Sequence, residues 1–328
     1  MAKTELLYIL LEIVMKRVVF FVGVLVVPAV FGLCGCGVEA EKESVQSAVI
    51  ALDVPEILHL DEESNPTTYF MGIPPVPDSL DFAGEPVPLD RWYVREALMR
   101  ELTVLSYWHA SMTYILQLST RYFPLIQPIL KKEGVPEDFI YLCVAESSLQ
   151  QLVSPAGAAG FWQFMKGTAR ERGLEVDNEV DERYHIEKAT RAAAAYLKDA
   201  YAKYGNWTAA AASYNMGTAG FTKQVNRQRE SNYYNMQLPN ETMRYLFRIL
   251  AFKTVIPQPE TYGYVLKESD YLQPIDCQTV KVPGRTDWID FAKSHRISYR
   301  ELRLFNPWIR DVKVSNGKTY QVKLPIPQ

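Results

Sequence analysis

The chain has 328 residues, enough for one large or two modest domains. Its formal net charge is −3, with 35 Lys and Arg against 38 Asp and Glu, which excludes the basic footprint of a nucleic-acid binder. Hydrophobic residues make up 48% and aromatic residues 12%, so the chain can bury a core and is not a disordered polymer.

In chain order, Met15-Lys16-Arg17 is a short basic region, and Val18–Leu33 is an apolar run that ends Leu33-Cys34-Gly35-Cys36. This pattern predicts a signal peptide within 1–36, with Met15 as the expected true start. Its end is similar to a lipoprotein lipobox, with Cys36 as the lipidated residue and Leu33 and Gly35 in the expected positions. A retained anchor over Leu6–Leu33 is the alternative. Both place the rest of the chain outside the cytoplasm and tethered to a membrane. Residues 37–89 are acidic and proline-rich, which predicts a linker whose Ile73–Val87 portion lies against the domain that follows.

Asp90 is an N-cap candidate for a helix over Arg91–Leu118, with Leu98, Leu102, Leu105, Trp108 and Met112 on one side. A second helix is predicted over Thr120–Lys132. Gly134 and Pro136 then open a third, Phe139-Ile140-Tyr141-Leu142-Cys143-Val144-Ala145, which is apolar on every face and therefore buried. Glu146 follows directly, in line with Phe139, Leu142 and Cys143. A carboxyl group at the end of a buried rod has its pKa raised by desolvation, and a carboxyl protonated at neutral pH is a general acid. Taken alone, the same residue reads better as a glutamate paired with an arginine at a helix end.

From Ser147 to Arg170 the chain has no Asp or Glu. The segment Ser154–Gly160 is built of small residues that let a loop pass close to a ligand, and Phe161-Trp162-Gln163 sets aromatic rings beside an amide, which suits sugars. Most glycosidases need two carboxylates, and substrate-assisted enzymes are the exception. A lone buried glutamate fits the exception.

Further on, Lys166–Arg172 is a short helix closed by Gly173, and Glu175–Glu182 is an acidic turn. Ile186–Tyr204 is an alanine-rich helix expected to pack on the glutamate helix. Another helix ends at Tyr214-Asn215-Met216-Gly217, and Glu241–Ile256 closes the domain before Pro257 and Pro259. After Thr261 the character changes to strand (Thr279–Val282), helix (Trp288–Ala292), helix (Tyr299–Phe305) and strand (Tyr320–Pro325).

Glu146-Ser147, then Ser154-x-x-Gly157-Ala158-x-Gly160-x-Trp162-Gln163-x-Met165-x-x-Thr168-Ala169, then Ala212-Ser213-Tyr214-Asn215-Met216-Gly217, resembles the three-motif signature of the lytic transglycosylases of glycoside-hydrolase family 23. The likeness covers roughly Arg91–Val255. It departs in the Glu146–Gln163 interval, which is one residue shorter than in many members, with Leu149-Gln150-Gln151-Leu152 where Asn-Pro is common. The segment after Thr261 is similar to a LysM peptidoglycan-binding module, although Gly284-Arg285-Thr286-Asp287 replaces the usual opening.

The resemblance implies a mainly α protein. A lysozyme-like helical catalytic domain of the goose-type and soluble lytic transglycosylase kind spans 90–260. A small β-α-α-β LysM-like domain spans 261–328. It further implies peptidoglycan as substrate, Glu146 as the catalytic acid and then base, and 1,6-anhydro-muramyl products. Ser147, Ser154, Phe161, Trp162, Gln163, Met165, Tyr214 and Asn215 are the implied substrate-binding residues, with Tyr214 beside the acid. A monomer is expected, with no cofactor, metal or nucleic-acid partner. A hydrolytic muramidase and a non-catalytic wall-binding lipoprotein stay open as alternatives.

The remaining reactive residues add no chemistry. The four histidines are isolated. Cys143 reads as a small hydrophobe, with a Cys143–Cys277 disulfide as the lesser alternative. Asp177-Asn178-Glu179-Val180-Asp181 lacks the glycine and glutamate of a calcium loop.

Overall fold

In the computed structural model the described residues are 72–326. The expected signal peptide, Cys36 and most of the expected linker lie outside them. Within the described residues no helix is long and apolar enough to cross a membrane.

The linker expected over 37–89 ends earlier than its composition suggests. A hairpin of β1 (Asp81–Phe82) and β2 (Glu85–Pro86) buries Phe82, and Val87 and Leu89 follow it into the core. The hairpin is also fastened by polar groups. Glu85 caps a later helix by accepting from the backbone N–H groups of Trp207 and Thr208, while Lys253 ties Asp81 to Asp138 at 3.0 and 2.6 Å.

Helix α1 (Trp92–Tyr107) buries Val94, Leu98, Leu102 and Leu105 at helical spacing. Its N-cap position is Arg91 rather than the expected Asp90. The break between the first two helices falls at Trp108, eleven residues before the expected junction near Ser119, and α2 runs unbroken over His109–Lys132. Met112, Ile115, Leu116, Ile126 and Leu130 form one buried stripe through it. That burial carries the helix past Pro124 and Pro128, each of which removes a backbone donor.

Helix α3 (Phe139–Ser147) buries Phe139, Ile140, Leu142, Cys143 and Val144. It is packed chiefly by α8 (Asn240–Val255) and α2. The alanine-rich helix α5 (Ile186–Tyr204) has the expected boundaries but packs chiefly on α2 and on α6 (Trp207–Met216). Its alanines therefore bring those two helices close rather than α3. Between α3 and α5 lie an irregular loop, the short α4 (Lys166–Glu171) and a one-turn 3-10 helix over Glu182–Tyr184. Asn206 caps α6 by accepting from the Ala209 N–H at 2.7 Å, and α7 (Thr218–Gln228) follows directly after Gly217.

The C-terminal segment forms β3 (Cys277–Pro283), α9 (Trp288–Ser294), α10 (Tyr299–Phe305) and β4 (Thr319–Pro325). The strands pair antiparallel with Val280 opposite Val322. Trp288, Leu302, Trp308, Ile309, Tyr320 and Val322 fill their core. Asn306 is buried and bonds to Leu302, and it holds β4 through both the N–H and the C=O of Lys323. Helix α10 begins with a Ser298/Glu301 capping box. Cys143 and Cys277 are both free thiols.

Candidate active site

Two residues in the left-handed region, Ser148 (φ 53°) and Leu149 (φ 57°), end α3 immediately after Glu146 and Ser147. The helix therefore delivers the Glu146 carboxyl at its last turn and the chain turns away. Glu146 keeps partial solvent access, yet protein crowds its carboxyl. Burial pushes the pKa up to about 7, from an ordinary 4.5. The Tyr245 hydroxyl and the positive charge of Arg248 oppose this, and Glu241 adds to it.

Tyr245 donates its hydroxyl hydrogen bond to Glu146 Oε1. It stands on α8, is buried, and has its own pKa raised by burial and by the Glu146 charge. Tyr214, expected beside the acid, donates instead to the backbone carbonyl of Trp162 at 2.7 Å. It is still close enough that the Glu146 charge raises its pKa, after burial. Asn215 accepts from the Thr242 hydroxyl at 2.7 Å and so ties α6 to α8 three residues before Tyr245.

The loop between α3 and α4 is internally bonded. Ser154 Oγ accepts from the Ala158 N–H at 3.0 Å. The Gln163 amide donates to the carbonyls of Leu152 and Gly160 at 3.1 and 2.8 Å, with its backbone at φ 47°. Both polar side chains shape the loop. Phe161 and Trp162, expected to offer faces to sugars, are buried in the main core. Trp162 Nε1 donates to Thr190 Oγ1 at 3.0 Å, and Phe161 meets Tyr122 edge-on at 4.8 Å. Ser147 is also buried, and its hydroxyl donates back to the Cys143 carbonyl. In this structure all three side chains are packed inside the protein. Met165 is exposed at the end of the loop.

A cleft of about 380 Å³ opens at the end of α3 and is lined by Ala145 and Ser148, on either side of Glu146 and Ser147 in sequence, and by Tyr107, Trp108 and Arg248, with Glu146 itself outside its lining. Tyr107 and Trp108 are 59% and 44% exposed. Trp108 was expected on the core side of a continuous helix, but the break there turns it outward. The cleft also holds Glu101, whose two oxygens are engaged by Arg244 at 2.7 and 3.1 Å. Glu241, the other nearby carboxylate, pairs with Arg248 at 3.2 Å. Glu146 is therefore the carboxyl here that carries no cationic partner at bonding distance. Among the described residues no cluster of three or more His, Cys, Asp or Glu could hold a metal ion.

This arrangement places one carboxyl, titrating near neutrality and oriented by a phenol, beside a cleft with two exposed rings. Residues 124–237 match the Transglycosylase SLT domain, and residues 278–328 match the Soluble lytic transglycosylase C-terminal LysM-like domain. Membrane-bound lytic murein transglycosylase D of Escherichia coli strain K12 is 25% identical over 202 residues, which is 60% of this chain and 44% of that protein. The protein of the same name from Escherichia coli O6:H1 matches equally. The match thus spans less than half the length of these relatives. A solved structure of an inactive mutant of lytic transglycosylase Slt from Pseudomonas aeruginosa aligns with TM-score 0.36 and 19% identity, over 56% of this chain and 34% of that one. The chain carries a transglycosylase SLT domain followed by a soluble lytic transglycosylase C-terminal LysM-like domain.

Proposed function

We propose that this protein is a peptidoglycan lytic transglycosylase whose single acid–base group is Glu146. The observation that carries the reading is the Glu146 carboxyl, held by Tyr245 and raised by burial to a pKa of about 7, on the helix end whose Ala145 and Ser148 line the aromatic cleft. A pKa near the working pH lets one group serve as acid and then as base. In the first step the protonated Glu146 gives its proton to the glycosidic oxygen between N-acetylmuramic acid and N-acetylglucosamine. The C1–O bond breaks, and the acetamido oxygen of the same sugar closes on C1. In the second step the C6 hydroxyl attacks C1, the acetamido oxygen leaves, and the hydroxyl proton returns to Glu146. No water is consumed, and the new end is 1,6-anhydro-muramyl.

The other carboxylates do not suit the role of a second catalytic acid, because each is engaged by an arginine. Tyr245 is the residue that aims Glu146. Tyr107 and Trp108 offer ring faces to the glycan. Ser154, Gln163, Tyr214 and Asn215 frame the loop and the helix end around the acid. The lipobox-like run ending at Cys36 supports lipid anchorage in the cell envelope, facing the periplasm, with the outer membrane as the expected site.

The test is digestion of purified sacculi by the full chain, followed by mass spectrometry of the soluble products. Anhydro ends are expected. Reducing ends would replace this reading with a hydrolytic muramidase, and no release would leave a wall-binding protein.

A further inference from the structure

The LysM-like fold shares a core with the rest of the chain. Ala159, Val180 and Tyr184 are buried in the same apolar cluster as Trp288, Trp308 and Ile309. The seam follows residues 175–187. The Asp181 N–H donates to the Trp308 carbonyl, and the Arg310 N–H to the Glu179 carbonyl, both at 2.9 Å. Glu179 also accepts from the Ser315 N–H at 2.8 Å. His185 stacks on Trp308, and the Arg310 guanidinium lies 4.3 Å over the Tyr184 ring.

The same short segment grips the loop on the Glu146 side. Arg183 donates from one nitrogen to the carbonyls of Gly157 and Phe164, at 2.8 and 3.1 Å, so it spans the loop from middle to end. Asp181 fixes the other edge of the guanidinium at 2.7 to 3.3 Å, and both side chains are about nine-tenths shielded from solvent. Gln151 donates to the Tyr184 carbonyl at 3.0 Å. Backbone meets backbone at Gly160, where a Cβ would lie 2.0 Å from the Arg183 carbonyl oxygen. The loop in turn touches the acid's surroundings, since Cys143, on α3, bonds to the Phe161 carbonyl and Tyr214 to the Trp162 carbonyl.

We propose that Arg183 is a positioning residue for the reaction at Glu146, and that the LysM-like domain is the wall that holds it in place. The path runs from Trp308 and Arg310 through residues 179–185 to the loop, and from the loop to α3. A planar fork with five donors can bridge two carbonyls and a carboxylate at once, which a lysine cannot do. This role rests on the proposed function and makes a prediction opposite to that for an independent sugar-binding module. A brace acts on turnover, whereas a sugar-binding module acts on substrate affinity.

The test uses the full chain with Arg183→Gln, Arg183→Lys and Arg310→Ala. On sacculi, Arg183→Gln is expected to lower kcat by about tenfold or more with KM within about twofold, and Arg183→Lys to recover part of the loss. In Arg310→Ala, hydrogen exchange at the amides of Ser154, Ala159 and Gly160 is expected to quicken by about tenfold, although the substitution lies outside the SLT domain. A rise in KM alone in Arg183→Gln, or unchanged exchange at those amides in folded Arg310→Ala, overturns the proposal. The exchange measurement decides the brace even if sacculi prove to be the wrong substrate.

Discussion

Tyr245 on α8 donates a hydrogen bond to Glu146 on α3 across a separation of 99 residues. Burial raises the carboxyl pKa, and this bond limits the rise. Tyr245→Phe removes the bond and leaves the burial. The limb of the kcat profile on sacculi that reports loss of the Glu146 proton is then expected to move to higher pH, while the maximal rate falls because the carboxyl is no longer aimed. A profile that keeps its position would remove Tyr245 from the account.

The raised carboxyl also costs stability. Glu146 titrates at about 7 when folded against an ordinary 4.5, so between these values the folded chain holds a proton that the unfolded chain has released. Stability therefore falls as pH rises from about 4.5 to about 7. Glu146→Gln keeps an acceptor for Tyr245 but removes the charge. It is expected to be more stable than the wild type at pH 8, by on the order of 2 kcal/mol, and equal to it near pH 4. Urea denaturation at the two pH values measures this.

Two loop glycines separate backbone conformation from close approach. Both have positive φ, but a Cβ at Gly157 meets open space while one at Gly160 collides with the Arg183 carbonyl. Gly157→Ala is expected to cost about 1 kcal/mol and Gly160→Ala about 3 kcal/mol or more, with activity lost only in the second. Thermal denaturation and sacculus turnover, measured together, check both.

Aromatic substitutions should divide by burial. Trp108→Ala, in the cleft, is expected to raise KM several-fold with little change in Tm. Trp162→Ala empties a fully buried site and is expected to cost about 3 to 5 kcal/mol. Titration with soluble glycan strands and a denaturation curve distinguish the two.

What the sequence made legible follows from locality. Helix α3 was visible as an all-apolar run with its glutamate, α5 through its alanine pattern, and the β-α-α-β order through the spacing of its turns. Tyr245 was not visible. It is one of 20 tyrosines, it sits in an ordinary amphipathic helix, and only tertiary packing brings it to Glu146. Burial of Phe161 and Trp162 was not visible either, because an aromatic pair after a run of small residues reads the same whether its rings face a cleft or the core. Trp108 misled in the opposite sense. A helix break at that residue carries no proline or glycine to announce it, and the two prolines that do occur lie inside α2.

The central claim is that Glu146 alone supplies the acid and the base. Release of soluble muropeptides from sacculi at pH 7 by the wild type and by Glu146→Gln, with circular dichroism to confirm folding, tests it most directly. Anhydro products are expected from the wild type and a loss of about 1,000-fold or more in the variant. A folded Glu146→Gln protein that retains a tenth or more of the wild-type rate would contradict it.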